Sequence, residues 1–268
     1  MVEPISSGSS LGIQQLNATK KSLNKTQERI TTGLRINGPK DDAATFAVAQ
    51  ALRGTQSGTQ AVKVALNNAE ATVNVAASAS VQVSNLLIDL KTKALEASNP
   101  ALDAASRSTI NNEFQSLVDQ LNTVTSSASF NGVNLVESGA SSLQVLTTES
   151  GDAVTVNAQN LSAQGLGVDS LSLLTSGDTA TALAAIDNAI NQANSSAAQL
   201  GSDLQRIENQ GEFTTRLDNV LSQGIGNLVD ANLSEEAAGL TAQRVKEELG
   251  LRTLAIANAG PKALLSLF

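Results

Sequence analysis

Apolar residues recur at steps of three and four along most of the chain, which is the spacing of one face of an α-helix. The strongest series has a single polar member, Ser80. At 1.5 Å per helical residue it extends over about 50 Å. A heptad seam of this length predicts a long helix that packs against other helices, as in a coiled coil. Its members are Val62, Leu66, Ala69, Val73, Ala76, Ser80, Val83, Leu87, Leu90, Ala94 and Ala97.

Two further segments have the same spacing and predict helical partners for this long helix. The first lies between Pro100 and the Asn131-Gly132 turn signal. In the second, the seam shifts near Gly211, and we expect a last helix to begin beyond Gly224 and Gly226. The apolar positions of the first segment are Ile110, Phe114, Leu117, Leu121, Val124 and Ala128. Those of the second are Leu183, Ile186, Ile190, Ala193, Ala197, Leu200, Leu204 and Ile207.

Both ends of the chain carry thinner apolar stripes. Residues 11–34 predict a mostly polar helix that ends at Gly33, and the last helix is expected to end at Pro261. Helices of this kind gain little stability alone, and exposed apolar surface usually marks a partner site. We therefore predict that the two ends lie side by side and present an interface to other subunits. The candidate interface residues are Leu16, Leu23, Ile30, Leu233, Leu240, Leu251, Leu254, Leu264, Leu265, Leu267 and Phe268.

In the middle of the chain, the spacing of apolar residues changes from helical steps of three and four to alternation with polar residues. Leu143, Val145 and Thr147 alternate with polar neighbours, and so do Val154 and Val156, which predicts a β-hairpin with a four-residue loop at 149–152. Residues 158–178 contain three glycines and are expected to be irregular. The predicted fold is mainly α: an elongated antiparallel helical bundle or coiled coil with a small β-hairpin insertion and paired terminal helices.

The composition restricts the chemistry. The 268 residues include no histidine and no cysteine, which excludes Ser–His and Cys–His nucleophiles and ordinary zinc sites. The net charge of −8 disfavours nucleic-acid binding. No stretch approaches the roughly 20 apolar residues of a membrane span, and the first residues do not have the pattern of a cleavable signal peptide. We expect no enzymatic activity, cofactor, bound metal, nucleic acid or membrane.

Asp41 and Asp42 precede the long helix and have two interpretations. They could form an acidic pair for a metal ion, or they could cap the helix by accepting hydrogen bonds from its free N–H groups. No further ligand set accompanies them in the sequence. The pattern therefore favours the helix cap.

Several short segments, taken together and in this order, resemble the signatures of bacterial flagellins. Near the N-terminus these are residues 29–37 (RITTGLRIN) and 41–44 (DDAA), followed by residues 129–133 (SFNGV) at the end of the third helix. At the other end they are residues 232–236 (NLSEE), 254–258 (LAIAN) and 264–268 (LLSLF). The resemblance covers most of residues 11–136 and 180–268.

The resemblance implies a secreted, extracellular subunit that polymerises with identical copies into the flagellar filament and serves motility. It implies export through the flagellar type III apparatus, with a chaperone, and contact with cap and junction proteins. Residues 1–40 and 226–268 would form the inner filament core as paired helices. Residues 41–130 and 179–225 would form a rod-like bundle. Residues 131–178 would supply only a hairpin and loop, without the outer variable domains.

Two other functions stay open from the sequence. A hook–filament junction protein would have a related architecture but only a few copies in each organelle. An adhesin or carbohydrate-binding surface protein belongs to a different class, and the predicted hairpin contains no aromatic residue for sugar stacking. The flagellin-like signatures at both ends favour the filament subunit.

Overall fold

The computed structural model describes the backbone of residues 5–265 and the side chains of residues 10–256 and 259. Helices dominate that range, and the prediction of a mainly α fold with a hairpin insertion is confirmed. The helices are α1 Ile5–Thr32, α2 Ala43–Ala97, α3 Ala104–Ser127, α4 Ser176–Val229 and α5 Leu233–Leu265. The strands are β1 Ser129–Phe130, β2 Val133–Asn134, β3 Leu143–Leu146 and β4 Ala153–Val156.

The chain divides into two compact units. The terminal unit contains Met1–Gln56 and Val220–Phe268, and the central unit is Ser57–Asn219. The helices α2 and α4 contribute residues to both units.

The core of the central unit is built from the seams that the sequence predicts. The α2 seam is buried along its whole length, and its largest members, Leu66, Leu87 and Leu90, are inaccessible to solvent. They pack in one cluster with Phe114 of α3 and Ile186 of α4. Period-3.6 apolar spacing thus identifies the faces of the three helices that meet in this core.

The irregular segment between β4 and α4 adds apolar side chains to this core, and helical spacing does not predict them. Leu161, Val168 and Leu173 are fully buried in the same cluster as the helices. The segment is fixed by side chains of α3: the Asn122 amide oxygen accepts from the Ala163 N–H at 3.0 Å, and that of Asn111 accepts from the Leu173 N–H at 2.8 Å. The loop is therefore part of the core although it lacks regular structure.

Arg107, on the neighbouring helix α3, caps the C-terminal end of α2. Its buried guanidinium, on α3, donates to the carbonyl of Ala97, the last residue of α2, and to the Asn99 carbonyl at 3.3 Å. Carbonyls at the end of a helix have no intrahelical donor, and a cationic side chain there satisfies them and the helix dipole. This contact joins α2 and α3 at their turn.

Both hairpins follow from local sequence. Asn131 and Gly132 have φ values of 50° and 79° between β1 and β2, the left-handed pair that a type I′ turn requires. The predicted second hairpin is confirmed, with Leu143 opposite Val156 and Leu146 opposite Ala153. Its loop, residues 147–152, is two residues longer than predicted, although the Thr147 N–H still donates to the Asp152 carbonyl at 2.8 Å.

Two predicted helix ends are wrong. The helix α4 continues through Gly224 and Gly226 to Val229, and α5 continues past Pro261 to Leu265. A glycine costs a helix roughly 1 kcal/mol, and here the adjacent Ile225 and Val229 are buried and hold the last turns in place. A proline removes one N–H donor, which destabilises a long helix without necessarily ending it.

Within residues 5–265, one helix, α2, is long and apolar enough to cross a membrane by length and composition. The observation is weak evidence for a membrane helix, because the core helix of a bundle has the same properties. In this structure the α2 seam packs the core of the central unit.

The helix cap predicted before α2 is present. Asp42 Oδ1 accepts from the N–H groups of Ala44 and Thr45 at 3.0 and 3.1 Å, and Asp42 Oδ2 accepts from the Thr45 hydroxyl at 2.7 Å. Asp103 caps α3 in the same way, accepting from the Ser106 N–H at 2.7 Å. These hydrogen bonds, from Thr45 and Ser106 respectively, lower the pKa of both carboxyl groups.

A lowered pKa in the folded state means that the charged carboxylate stabilises the fold above the unfolded-state pKa. That stability is lost as the pH falls through the folded-state pKa. We expect the free energy of unfolding to stay level from neutral pH to about pH 4 and to decline below it. The variant D42N/D103N keeps a capping oxygen and should show a shallower decline in urea titrations followed by circular dichroism. An identical decline in both proteins would show that these caps do not carry the acid sensitivity.

Candidate functional site

The terminal helices α1 and α5 pair in antiparallel orientation, as predicted. Polar contacts mark the pairing near the end of α1. Arg29 Nη1 lies 2.8 Å from Glu236 Oε1, and the Gln243 amide donates to the Thr26 hydroxyl at 3.3 Å. The Arg29 and Glu236 side chains are largely shielded from solvent.

Apolar contacts mark the pairing farther along. Leu254 of α5 covers Gly12 of α1 so closely that a Cβ at Gly12 would lie 2.7 Å from Leu254 Cδ2. The reverse contact places Leu16 of α1 over Gly250 of α5, where a Cβ would lie 3.5 Å from Leu16 Cδ1. Two leucines thus fill the space left by two glycines on the opposite helix. A cleft of about 220 Å³ stays open beside them.

A short antiparallel bridge ties the end of α1 to the turn between α4 and α5. Gly33, with φ of +72°, takes the left-handed conformation that ends α1. Its carbonyl accepts from the Ala231 N–H at 2.9 Å, while the Arg35 N–H donates to the Val229 carbonyl at 2.7 Å. The Arg35 guanidinium donates to the Leu228 carbonyl at 2.6 Å. The GLR part of the RITTGLRIN segment is therefore a joint between the two ends of the chain.

A small apolar core lies beneath this joint. It consists of buried side chains from the segment after α1, from α2 and from α4. These side chains are Ile36, Ala49, Ile225 and Val229. Asp41, beside this joint, accepts from the Asn37 N–H at 3.1 Å and pairs with Lys25 at 3.0 Å. Asp41 therefore has a structural role next to the Asp42 cap. No group of three or more His, Cys, Asp or Glu side chains able to hold a metal occurs among the described residues.

The predicted interface residues fall into three groups. One group is half-buried on the paired helices, where Leu16 and Leu254 fill the space beside the glycines of the opposite helix. Leu233 and Leu251 are exposed. The side chains of Leu264 and Leu265, and the residues Leu267 and Phe268, lie outside the described part of the chain. The half-buried residues are Leu16, Leu23, Ile30, Leu240 and Leu254.

A second apolar stripe on α5 lies outside the predicted interface residues. Val245, Leu249 and Ile256 are 56%, 57% and 73% exposed. Their spacing of four and seven residues places them on one face, on the opposite side of the helix from Leu240 and Leu254. We call these three residues the α5 stripe. The sequence contains this spacing but does not show which face of α5 is covered by α1.

The α5 stripe is suited to binding another apolar surface. Fully burying one such side chain contributes roughly 1.5–3 kcal/mol, and contiguous exposed apolar residues usually mark an interaction site. On α1, Leu11 and Ile13 are also exposed. One face of α5 therefore packs against α1, and the opposite face exposes apolar side chains to solvent.

Known proteins with similar sequences have the same terminal regions. Residues 9–140 match the bacterial flagellin N-terminal helical region, and residues 183–268 match the bacterial flagellin C-terminal helical region. Flagellin FljO of Caulobacter vibrioides is 36% identical over 263 residues, which cover 98% of this chain and 96% of that protein. A flagellin of Brucella melitensis is 33% identical over 269 residues, covering 96% and 95% of the two chains.

Among solved structures, a putative flagellar hook-associated protein from Vibrio parahaemolyticus has a TM-score of 0.59 at 14% identity, covering 71% of this chain and 100% of that chain. This likeness concerns the fold alone and gives the hook–filament junction alternative no better support than the filament subunit. The family matches at both ends, and the relatives of nearly equal length, confirm the resemblance seen in the sequence. This chain belongs to the bacterial flagellin family and is a structural subunit of the flagellar filament.

Proposed function

We propose that copies of this flagellin join through the face of α5 that α1 leaves uncovered. The paired terminal helices would then form the inner core of the filament, and the central unit would form the layer around them. Residues 264–268 would contribute to the same contacts. The exposed Leu233 and Leu251 lie near the side of α5 that packs on α1 and would meet a different part of a neighbouring copy.

The observation that carries this proposal is that α5 is apolar on two opposite sides. One side packs on α1, with Leu254 over Gly12. The other side carries the α5 stripe, which has no cover among the described residues. A second copy supplies the missing neighbours at the same place on every subunit. Repetition along a polymer turns a few kcal/mol at each contact into a stable assembly.

Membership of the flagellin family also supports an extracellular location after export. We infer that the chain passes through the flagellar export apparatus with a chaperone, and that it meets cap and junction proteins at the ends of the filament. Its role in the filament is structural, and the described residues contain no candidate metal cluster.

Deletion of residues 264–268 tests the proposed role of the C-terminal tail. We expect the shortened protein to stay helical by circular dichroism but to form no filaments in electron micrographs or sedimentation assays. Its tail contains three leucines and a phenylalanine, whose burial would be lost from each subunit contact. The matched variant F268L keeps the apolar character and should polymerise. Normal filaments from the shortened protein would contradict the proposal.

A further inference from the structure

The apolar seam between α1 and α5 does not by itself define how the two helices align. On α1, Leu16, Leu23 and Ile30 are seven residues apart, and on α5, Leu233 and Leu240 have the same separation. Sliding one helix along the other by seven residues, about 10.5 Å, would bring Leu23 to the place of Leu16 opposite Gly250. The same slip would break the backbone hydrogen bond between Ala231 and Gly33. Repeating seams of this kind need polar groups to specify one alignment.

We propose that the contacts of Arg29 with Glu236 and of Thr26 with Gln243, which we call the register cluster, act with the backbone joint at the end of α1 to select the alignment in which this flagellin assembles. The proposal adds a specificity determinant to the proposed function and rests on it for the consequence in the filament. Its structural part concerns the free subunit.

The register cluster is placed to discriminate between alignments. The Glu236 side chain is 15% exposed and lies 2.8 Å from the Arg29 guanidinium. A shift of seven residues along α1 would bring Glu236 opposite Ser22 or Ile36, neither of which offers a positive charge. Leaving a shielded carboxylate without its cation is strongly unfavourable. Thr26, 6% exposed, would likewise lose the amide of Gln243.

The leucine and glycine contacts agree with the same alignment. They lie farther along each helix than the register cluster, and the glycines at 12 and 250 leave room for the leucines opposite. Because the α5 stripe is carried on the same helix, a slip would move it by about 10.5 Å along the filament subunit. Neighbouring copies would then present stripes that do not match.

Disulfide formation can report the alignment directly, because the chain contains no native cysteine. The pair G12C/L254C reports the native alignment, since a Cβ at Gly12 would lie 3.4 Å from Leu254 Cγ. The pair T19C/L254C reports a slip of seven residues. Both pairs are made in the full chain, oxidised as monomer, and quantified by electrophoresis.

We expect the change E236R to lower the G12C/L254C cross-link about tenfold, because Arg29 then faces a like charge. The T19C/L254C cross-link should rise correspondingly. The double change R29E/E236R restores the opposite charges and should restore the native cross-link. The matched variant E235R makes the same charge change at the neighbouring exposed residue and should leave both yields unchanged.

An unchanged native cross-link in E236R, or an equal loss in E235R, would overturn the proposal. Loss without recovery in R29E/E236R would also overturn it, since it would indicate a general disruption of the helix. Polymerisation of each variant is measured separately by electron microscopy. Native cross-linking without any filaments from the unsubstituted chain would instead count against the proposed function.

Discussion

The variant L249E is expected to stay a folded, helical monomer that no longer polymerises. Leu249 is 57% exposed in the subunit, so a carboxylate there remains in water and costs the monomer little. In the proposed contact, the same carboxylate would be buried against an apolar surface without a partner. The cost of burying an unpaired charge exceeds what the lost leucine contributed. Sedimentation and electron microscopy under polymerising conditions measure the outcome.

The matched control is A237E, which adds the same charge on the same helix. Ala237 is exposed and lies about 100° around α5 from the centre of the stripe. We expect A237E to form filaments of normal length. If L249E polymerised as well as A237E, the α5 stripe would not be a subunit contact.

A second large effect is expected in the core of the central unit. Phe114 is fully buried among the seams of α2, α3 and α4 and is the largest of the fully buried side chains described. The change F114A should lower the free energy of unfolding by about 3–5 kcal/mol, because it removes apolar burial and leaves a cavity. Urea titration followed by circular dichroism measures the change.

The control for this change is another phenylalanine in the same unit. Phe213 is 58% exposed on α4, and F213A should change the free energy of unfolding by no more than about 0.5 kcal/mol. Equal effects of F114A and F213A would mean that the seam residues do not form the core of the central unit.

The features that the sequence predicts correctly depend on residues that are close together along the chain. The Asn131-Gly132 turn needs two left-handed residues, and Asn-Gly supplies them. Asp42 caps α2 because its side chain reaches the N–H groups of the next turn. The long seam of α2 is visible because one period repeats over many turns.

The features that the sequence did not reveal depend on distant residues. Arg107 reaches the end of another helix, and Leu161 and Leu173 are buried only because α3 holds their loop. Gly226 does not end α4, since neighbouring residues pack in a small core that the sequence pattern does not show. The α5 stripe could be recognised only once α1 was known to cover the opposite face. Which apolar face is free is decided by tertiary pairing.

The accessibility of position 249 in the monomer and in the filament tests the central claim most directly. The chain has no native cysteine, so the variant L249C carries one thiol whose reaction with a maleimide can be followed in both states. We predict rapid labelling of the monomer and strong protection in the filament, while the flanking variant A237C, about 100° around the helix from the stripe, reacts in both. Equal labelling of L249C in monomer and filament would contradict the claim that neighbouring copies cover the α5 stripe.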